Sequence, residues 1–308
     1  MKVAFVFPGQ GAQYPGMGRE LYEQFPLVRE YFQRGDDALG CNLSKLCFRG
    51  SASELTLTEN AQPAILILSC AIAALLEAEY GIVPAAAAGL SLGEYSALVT
   101  GGMLPFEEAV RLVSRRGRYM QEAVPAGVGG MAAIFGLGAT QVVELCRQDD
   151  GVVEAANFNC PGQVVVSGEN QAVKRVVEAA KAAGARRAVP IEVSAPFHCS
   201  LLKPAAEKLR PDLAMAKFRP PRMAVLSNVN AAPVTEDNVR ELLTEQVVRP
   251  VLWQQCVEKL AEMGVSTLVE AGPGKTLSGL ARKINRDLRV LNVEKPEDLL
   301  QLKGELAC

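Results

Sequence analysis

Short apolar runs rich in Val, Phe and Ala alternate along the chain with longer stretches whose apolar positions recur every three or four residues. The first pattern predicts buried strands and the second predicts amphipathic helices. Before residue 127, the predicted strands are 2–7 and 85–88, and the predicted helices are 19–34, 61–80 and 105–123. Strands that alternate with helices favour a mostly parallel sheet covered on both faces.

The composition changes at Pro125-Ala126-Gly127, where a glycine-rich segment begins. Beyond it, the pattern is strand, helix, strand, strand, helix and strand, over 131–135, 140–149, 152–158, 163–167, 171–183 and 188–193. That order matches a ferredoxin-like β-α-β-β-α-β unit. We therefore expect a small ferredoxin-like subdomain over 127–194, inserted into a larger one.

The alternation of strands and helices resumes after the inserted unit. Helical patterns cover 201–213, 235–247 and 251–263, and strand patterns cover 223–227, 267–270 and 289–293. The predicted fold class is therefore α/β. Its large subdomain is formed by residues 1–126 and 195–308 around a mostly parallel sheet.

The bulk composition excludes several classes of protein. The 308 residues are 49% hydrophobic with a net charge of −2, which is typical of a soluble globular protein and offers nucleic acid no basic surface. The eight cysteines form no CxxC pair and no metal-ligand spacing, so we expect reduced thiols and no metal site. No signal peptide is visible, and the longest apolar run, 64–76, is too short for a membrane span and predicts a buried helix. We expect a cytoplasmic protein, with a monomer as the default state.

The stretch Gly89-Leu90-Ser91-Leu92-Gly93 has the G-x-S-x-G pattern of a nucleophile elbow. A short buried strand precedes it and a segment of helical composition follows it, which is the context that such a turn requires. The glycines leave room for a sharp turn, and the helix start places N–H groups near the hydroxyl. A glycine-bordered turn without catalytic function is the alternative, but the context favours Ser91 as a nucleophile.

A serine hydroxyl needs a base to remove its proton, and the chain contains one histidine, His198. It lies in a proline-constrained loop after the inserted unit and follows the serine in the chain, as in α/β-hydrolase-type sites. A lone histidine is more often a surface or core residue, yet any imidazole that activates Ser91 must be this one. No Asp or Glu between the two stands out as the orienting acid, which leaves a backbone carbonyl as an alternative.

An acyl-transfer site also needs two donors for the oxyanion. The N–H of Leu92, directly after the nucleophile, is one candidate, and the Gly9-Gln10-Gly11 loop supplies the other. This loop is not a dinucleotide fingerprint, because Tyr14 stands where the third glycine is needed.

Two further motifs have a simple structural alternative. The arginines of Arg115-Arg116-Gly117-Arg118 form either a solvated basic face or a pocket that binds a substrate carboxylate. The stretch Gly272-Pro273-Gly274-Lys275-Thr276 resembles the end of a phosphate loop, but Val269 stands where its first glycine belongs. We interpret it as a strand-to-helix turn.

Together these stretches resemble malonyl-CoA:acyl carrier protein transacylases and the related acyltransferase domains of polyketide and fatty acid synthases. The matching segments run in family order over nearly the whole chain. They are FPGQGAQ (7–13), SLGEY (91–95), RGRYMQ (116–121), NFN (157–159), FH (197–198), SNV (227–229), QVVRPVLW (246–253) and EAGPG (270–274).

The resemblance implies an α/β-hydrolase-like large subdomain with a ferredoxin-like small one. It also implies a ping-pong reaction that supplies fatty acid synthesis. Malonyl-CoA acylates the serine, CoA leaves, and the phosphopantetheine thiol of acyl carrier protein takes the malonyl group. The CoA thioester is a substrate, and no cofactor is implied.

The same resemblance assigns roles to individual residues. Ser91 would be the acylated nucleophile and His198 its base. Gln10 with the N–H of Leu92 would form the oxyanion hole, and Arg116 would hold the free carboxylate of malonate. The main-chain carbonyl of Gln246 would orient the histidine.

Two positions bear on rate and selectivity. The family usually has Gly-His-Ser at the elbow, whereas Leu90 precedes the serine here. Because that histidine is not the base, we expect only modestly altered turnover, and a Leu90→His variant that is faster by about a hundredfold or more would contradict this.

Phe197 resembles the malonyl-selective version of its loop, because a bulky ring leaves little space for an α-methyl group. A methyl group is worth only about 1–3 kcal/mol, so some transfer of methylmalonyl is expected.

Three alternatives stay open. The chain could be a free-standing acyltransferase of a polyketide pathway, a serine esterase or thioesterase with water as acceptor, or a scaffold protein that has lost activity. The sequence does not separate fatty acid from polyketide synthesis. Nor does it identify the Lys and Arg residues that contact an acidic carrier protein.

Overall fold

The computed structural model describes residues 2–125 and 127–306. Its larger sheet, sheet A, contains β1 (Val3–Phe7), β2 (Ala86–Gly89), β7 (Ala224–Val225), β8 (Thr267–Ala271) and β9 (Arg289–Val293). The strand order is β7-β2-β1-β8-β9, and every neighbouring pair is parallel. Because parallel strands all end at one edge of a sheet, the loops after β1, β2 and β7 lie close together there.

Helices cover both faces of sheet A. In the first part of the chain they are α1 (Arg19–Gln24), α2 (Pro26–Leu39), α3 (Leu43–Arg49), α4 (Ala52–Thr56), α5 (Thr58–Tyr80), α6 (Gly93–Thr100) and α7 (Phe106–Glu122). In the second part they are α10 (Lys203–Met215), α11 (Val239–Gln246), α12 (Trp253–Glu262), α13 (Thr276–Ile284) and α14 (Pro296–Leu306). Successive side chains of β1 point into two different cores, Phe5 and Phe7 into one and Ala4 and Val6 into the other.

Helix α5 is long and apolar enough to cross a membrane by its length and composition, but 83% of its most apolar stretch is buried inside the protein. It packs against α2 and α7 in the larger of the two cores. The predicted buried core helix is therefore confirmed.

The small subdomain contains sheet B, formed by β3 (Gly129–Phe135), β4 (Val153–Cys160), β5 (Gln163–Glu169) and β6 (Arg187–Ile191), together with α8 (Ala139–Arg147) and α9 (Asn170–Ala182). Its strand order is β4-β5-β3-β6, and every neighbouring pair is antiparallel. The predicted α/β fold with a ferredoxin-like unit is confirmed. These elements fall within 127–194, and Ala126, at the predicted boundary, lies outside the described residues.

The sequence pattern was wrong about several element boundaries. The predicted helix 19–34 is two helices, because Phe25 is extended before Pro26, as a residue before proline prefers to be. The predicted strand 223–227 shrinks to the two residues of β7 at the edge of sheet A. The short helices α3 and α4 and the C-terminal α14 were not predicted at all.

Candidate active site

The turn between β2 and α6 has the geometry of a nucleophile elbow. Ser91 adopts a left-handed backbone conformation, with φ of 53°, which is strained for a residue with a side chain. A Cβ on Gly89 would lie 1.9 Å from the carbonyl carbon of Gly93, and a Cβ on Gly93 would lie 2.1 Å from the oxygen of Phe7. Neither position can therefore hold a side chain, and the tight packing fixes the turn against the end of β1.

Ser91, His198 and Gln246 are connected by hydrogen bonds. Nε2 of His198 lies 2.7 Å from Oγ of Ser91, and Nδ1 lies 2.8 Å from the main-chain oxygen of Gln246. A carbonyl oxygen can only accept, so Nδ1 carries the proton and Nε2 presents its lone pair to the serine hydroxyl. This is the tautomer that a general base requires. A peptide carbonyl thus occupies the position that the acid has in a Ser-His-Asp triad.

His198 is held in a buried and strained loop. Its φ is 62°, and its side chain has almost no contact with solvent. Glu154 on β4 accepts hydrogen bonds from the N–H and the hydroxyl of Ser200, which ties the loop to the small subdomain. Burial and, to a smaller extent, the nearby Arg116 cation together lower the pKa of His198 to about 4. The imidazole is consequently neutral, and able to accept a proton, throughout the physiological pH range.

Arg116 is the one arginine of its cluster that points into the protein. Its side chain is buried, whereas Arg115 pairs with Asp212 at the surface and Arg118 is exposed. Nη2 donates to Oγ of Ser91 at 3.1 Å, so a cation lies directly beside the hydroxyl. The solvated-face alternative therefore does not describe Arg116.

The other acceptors that hold Arg116 are two neutral amides. Nη1 donates to Oε1 of Gln62 at 2.7 Å, and Nη2 also donates to Oε1 of Gln246 at 2.9 Å. Nε has no hydrogen-bond partner among the described residues. Because no carboxylate among the described residues contacts it directly, the buried guanidinium can still form hydrogen bonds with an anion that enters the cavity.

Gln10 and Leu92 lie on the two loops that meet at Ser91. Leu92 is buried at the start of α6, and none of the described residues accepts a hydrogen bond from its N–H. The side-chain amide of Gln10 donates to Oγ1 of Thr58 at 3.2 Å and lines the same cavity as Ser91. One hydrogen of that amide is engaged, whereas none of the described residues accepts a hydrogen bond from the main-chain N–H of Gln10, which is therefore the donor that we expect. The arrangement suits an oxyanion hole of two peptide N–H groups.

Sequence reasoning did not single out Asn228 or Glu94, both of which support the elbow. Oδ1 of Asn228 accepts from the N–H of Ser91 at 2.6 Å, and Nδ2 donates to the oxygen of Gly89 at 2.7 Å. The carboxylate of Glu94 accepts from the N–H of Asn228 and from Nε2 of Gln246. Both residues stand in segments that carry the family resemblance, but their roles depend on contacts between distant parts of the chain.

A cavity of about 290 Å³ lies over Ser91 between the two subdomains. Phe197 lines it and packs on the inner face of sheet B, against residues such as Val165. Leu90 also lines it and packs against the core beneath sheet A. A second cavity of about 460 Å³ lies on the other side of the segment 191–196 and contains none of these polar groups. The smaller cavity is therefore the candidate active site.

Two observations concern metals and thiols. Among residues 2–125 and 127–306, no group of His, Cys, Asp or Glu side chains is arranged to hold a metal ion. The seven cysteines in the described part of the chain are all unpaired thiols, and the eighth cysteine of the sequence, Cys308, lies outside it.

Comparison with known proteins gives the family. The model of the acyl transferase domain family matches residues 4–295. The chain belongs to the acyl transferase domain family. A curated member from Bacillus subtilis (strain 168), malonyl CoA-acyl carrier protein transacylase, is 49% identical over 302 residues, covering 97% of this chain and 95% of the relative.

Solved structures agree with this assignment. A malonyl CoA-acyl carrier protein transacylase from Clostridium perfringens has a TM-score of 0.96 at 45% identity, over 100% of this chain and 98% of its own. A malonyl-transacylase solved in complex with its type II polyketide acyl carrier protein has a TM-score of 0.97 at 42% identity, over 99% and 100% of the two chains. The chain is thus an acyltransferase with the fold of these acyl transferase family members.

Proposed function

We propose that this acyltransferase moves a malonyl group from malonyl-CoA to the phosphopantetheine thiol of an acyl carrier protein. The observation that carries the proposal is the 3.1 Å hydrogen bond between the Arg116 guanidinium and the hydroxyl of Ser91. An acyl group bound to that serine has the cation within reach, so an acyl chain that ends in a carboxylate is favoured. The names of the relatives described above support the same substrate and acceptor.

The first half-reaction acylates the enzyme. His198 accepts the proton of Ser91 through Nε2 as Oγ attacks the thioester carbonyl. The peptide N–H groups of Gln10 and Leu92 stabilise the negative charge on the carbonyl oxygen. As the intermediate collapses, the carbon–sulfur bond breaks and the imidazolium returns its proton to the departing CoA sulfur. The Gln246 carbonyl holds the ring in place through both proton transfers.

The second half-reaction repeats these steps with a different nucleophile. The neutral imidazole takes the proton of the carrier thiol, the thiolate attacks the malonyl ester, and His198 protonates the departing Ser91 oxygen. Only side chains, peptide groups and the two thioesters take part, so we expect no cofactor and no metal. We also propose that the enzyme acts as a monomer in the cytoplasm, without contacts to nucleic acid or membrane.

Three further points define the proposed specificity. Phe197 narrows the acyl site and disfavours an α-methyl group. Arg116 argues against a thioesterase, because a site that binds a carboxylate in a buried pocket favours transfer over reaction with water. The pathway is proposed to be fatty acid synthesis, while the similarity to a transacylase bound to a type II polyketide carrier makes polyketide synthesis the second candidate.

The proposal is tested by following the mass of the carrier protein. Wild-type enzyme, malonyl-CoA and phosphopantetheinylated carrier should yield a carrier heavier by one malonyl group, and the Ser91→Ala variant should not. A panel of fatty acid and polyketide carriers then separates the two pathways by kcat/KM. Release of free malonate with no gain in carrier mass would support a hydrolase instead.

A further inference from the structure

We propose that Glu94 is the counter-charge of Arg116 in the resting enzyme, and that Glu94 takes up a proton when a substrate carboxylate binds to Arg116. The inference rests on the proposed function, because it concerns the carboxylate of the malonyl group. It gives Glu94 a positioning and charge-balancing role, since this residue does not touch the reacting atoms.

Glu94 is a carboxylic acid enclosed completely within the protein. Its side chain has no solvent exposure, and it lies directly beneath the nucleophile on the first turn of α6. Oε2 accepts from the N–H of Asn228 at 2.9 Å and from Nε2 of Gln246 at 2.7 Å. Oε1 has no partner among the described residues. A buried carboxylate with one bare oxygen is costly to ionise unless a cation is near.

The nearby cation is Arg116, and one amide joins the two groups. Gln246 donates through Nε2 to Glu94 and accepts through Oε1 from Arg116. No carboxylate among the described residues contacts Arg116 directly. The charge of Glu94 raises the pKa of the guanidinium, which burial lowers. The two groups therefore form an ion pair separated by a neutral side chain.

The other titratable groups around Glu94 leave it as the group that changes charge. Tyr95 follows Glu94 on the same helix, and Cys256 faces Glu94 from α12. Burial raises the pKa of both Tyr95 and Cys256, so both side chains stay neutral. Glu94 is connected to His198 through Gln246, whose main-chain carbonyl lies beside Nδ1 of the ring. His198 stays neutral because burial lowers its pKa. For Glu94 itself, burial raises the pKa, whereas the hydrogen bonds from Asn228 and Gln246 and then the Arg116 cation lower it, and the result is a pKa of about 7.

Substrate binding changes this balance in one direction. In the resting site, one buried positive charge faces one buried negative charge. A malonyl carboxylate on Arg116 adds a second negative charge and cancels the influence that favoured ionised Glu94, so the pKa of Glu94 rises further. Around neutral pH the carboxyl group then binds a proton, which restores neutrality. An acetyl group brings no carboxylate and leaves Glu94 as it was.

Proton uptake can be measured without turnover. In the Ser91→Ala background, malonyl-CoA is titrated calorimetrically at pH 8 in two buffers of different ionisation enthalpy, and the difference in heat gives the protons taken up. A nearby charge typically changes a carboxyl pKa by about 1–3, and a rise from about 7 to about 8 gives uptake of about 0.4 proton per site at pH 8. Acetyl-CoA should give a value near zero.

The matched variant is Glu94→Gln, whose amide oxygen can still accept from Asn228 and Gln246 while its charge is gone. In the Ser91→Ala background it should bind malonyl-CoA with no proton uptake. With Ser91 restored, the ratio of kcat/KM for malonyl over acetyl transfer should be independent of pH. In the wild type that ratio should fall by up to about tenfold from pH 6 to pH 9, because Glu94 is protonated at the lower pH and opposes the malonyl carboxylate when ionised at the higher pH.

The outcomes separate the two ideas. Binding of malonyl-CoA with no net uptake of protons, or with uptake that persists in the Glu94→Gln variant, would overturn the role of Glu94 and leave the proposed function standing. Failure of malonyl-CoA to bind better than acetyl-CoA at any pH would overturn the proposed function itself. If the Glu94→Gln variant does not fold, proton uptake with malonyl-CoA but not with acetyl-CoA in the Ser91→Ala enzyme supports the proposal, and the absence of uptake with malonyl-CoA overturns it.

Discussion

Replacement of Arg116 by Ala is the mutation that most sharply separates a substrate-binding role from a structural one. A guanidinium can form two hydrogen bonds with a carboxylate, each worth about 1.5–3 kcal/mol when charged groups are involved. Their loss should cost about 3–6 kcal/mol, which lowers kcat/KM with malonyl-CoA by about 10²–10⁴. Acetyl-CoA offers no carboxylate, so its transfer should lose only the support that Arg116 gives to Ser91, about tenfold.

The assay compares both thioesters in the presence of carrier protein, with thermal unfolding as a check on the fold. Arg118→Ala is the matched control, because Arg118 lies on the same helix but is exposed, and it should leave both rates unchanged. Arg116→Lys keeps the charge without the fork, so its malonyl rate should lie between wild type and Arg116→Ala. Equal losses for malonyl and acetyl transfer in Arg116→Ala would show that the arginine only maintains the structure.

Three further outcomes are expected. The pKa of His198 is lowered to about 4, so this base is protonated and inactive only below that pH, and kcat/KM for acetyl-CoA should decline near pH 4. A decline near the ordinary histidine pKa of about 6.5 would contradict this prediction. Asn228→Ala leaves the N–H of Ser91 and the oxygen of Gly89 without hydrogen-bond partners, and each unpaired group should cost about 1–3 kcal/mol of stability, so the melting temperature and kcat should both fall. Unchanged values in calorimetry and kinetics would argue against a supporting role for Asn228. Phe197→Ala should raise kcat/KM for methylmalonyl relative to malonyl by about 10–200-fold, and an unchanged ratio would remove the steric argument.

Local patterns predicted much of this fold. The order of strands and helices, the inserted ferredoxin-like unit and the parallel sheet all follow from apolar periodicity, which reports burial segment by segment. The elbow could be recognised in the sequence because its two glycines and its serine lie within five consecutive residues. Both glycines are required there, since a Cβ on either would collide with the backbone. Boundaries were less accurate, as at Pro26, where a ring without an N–H divides one apparent helix into two.

The supporting residues of the site were beyond local reasoning. Asn228 and Gln246 lie more than a hundred residues from Ser91 in the sequence, and nothing in their own neighbourhoods indicates a contact with it. Glu94 was hidden for a different reason. A glutamate on the first turn of a helix is ordinarily explained by the helix dipole, and only the structure shows that this one is buried beneath the nucleophile.

Ser91 is proposed to carry a malonyl group between two thiols, and intact mass spectrometry of the enzyme detects that covalent intermediate. After mixing with malonyl-CoA, the wild type should gain the mass of one malonyl group and Ser91→Ala should gain none. Addition of phosphopantetheinylated carrier should discharge the adduct onto the carrier much faster than buffer alone does. An adduct that forms equally on Ser91→Ala would contradict the role of Ser91 as the acylated residue. An adduct that decays in buffer as fast as with carrier would contradict transfer to the carrier thiol.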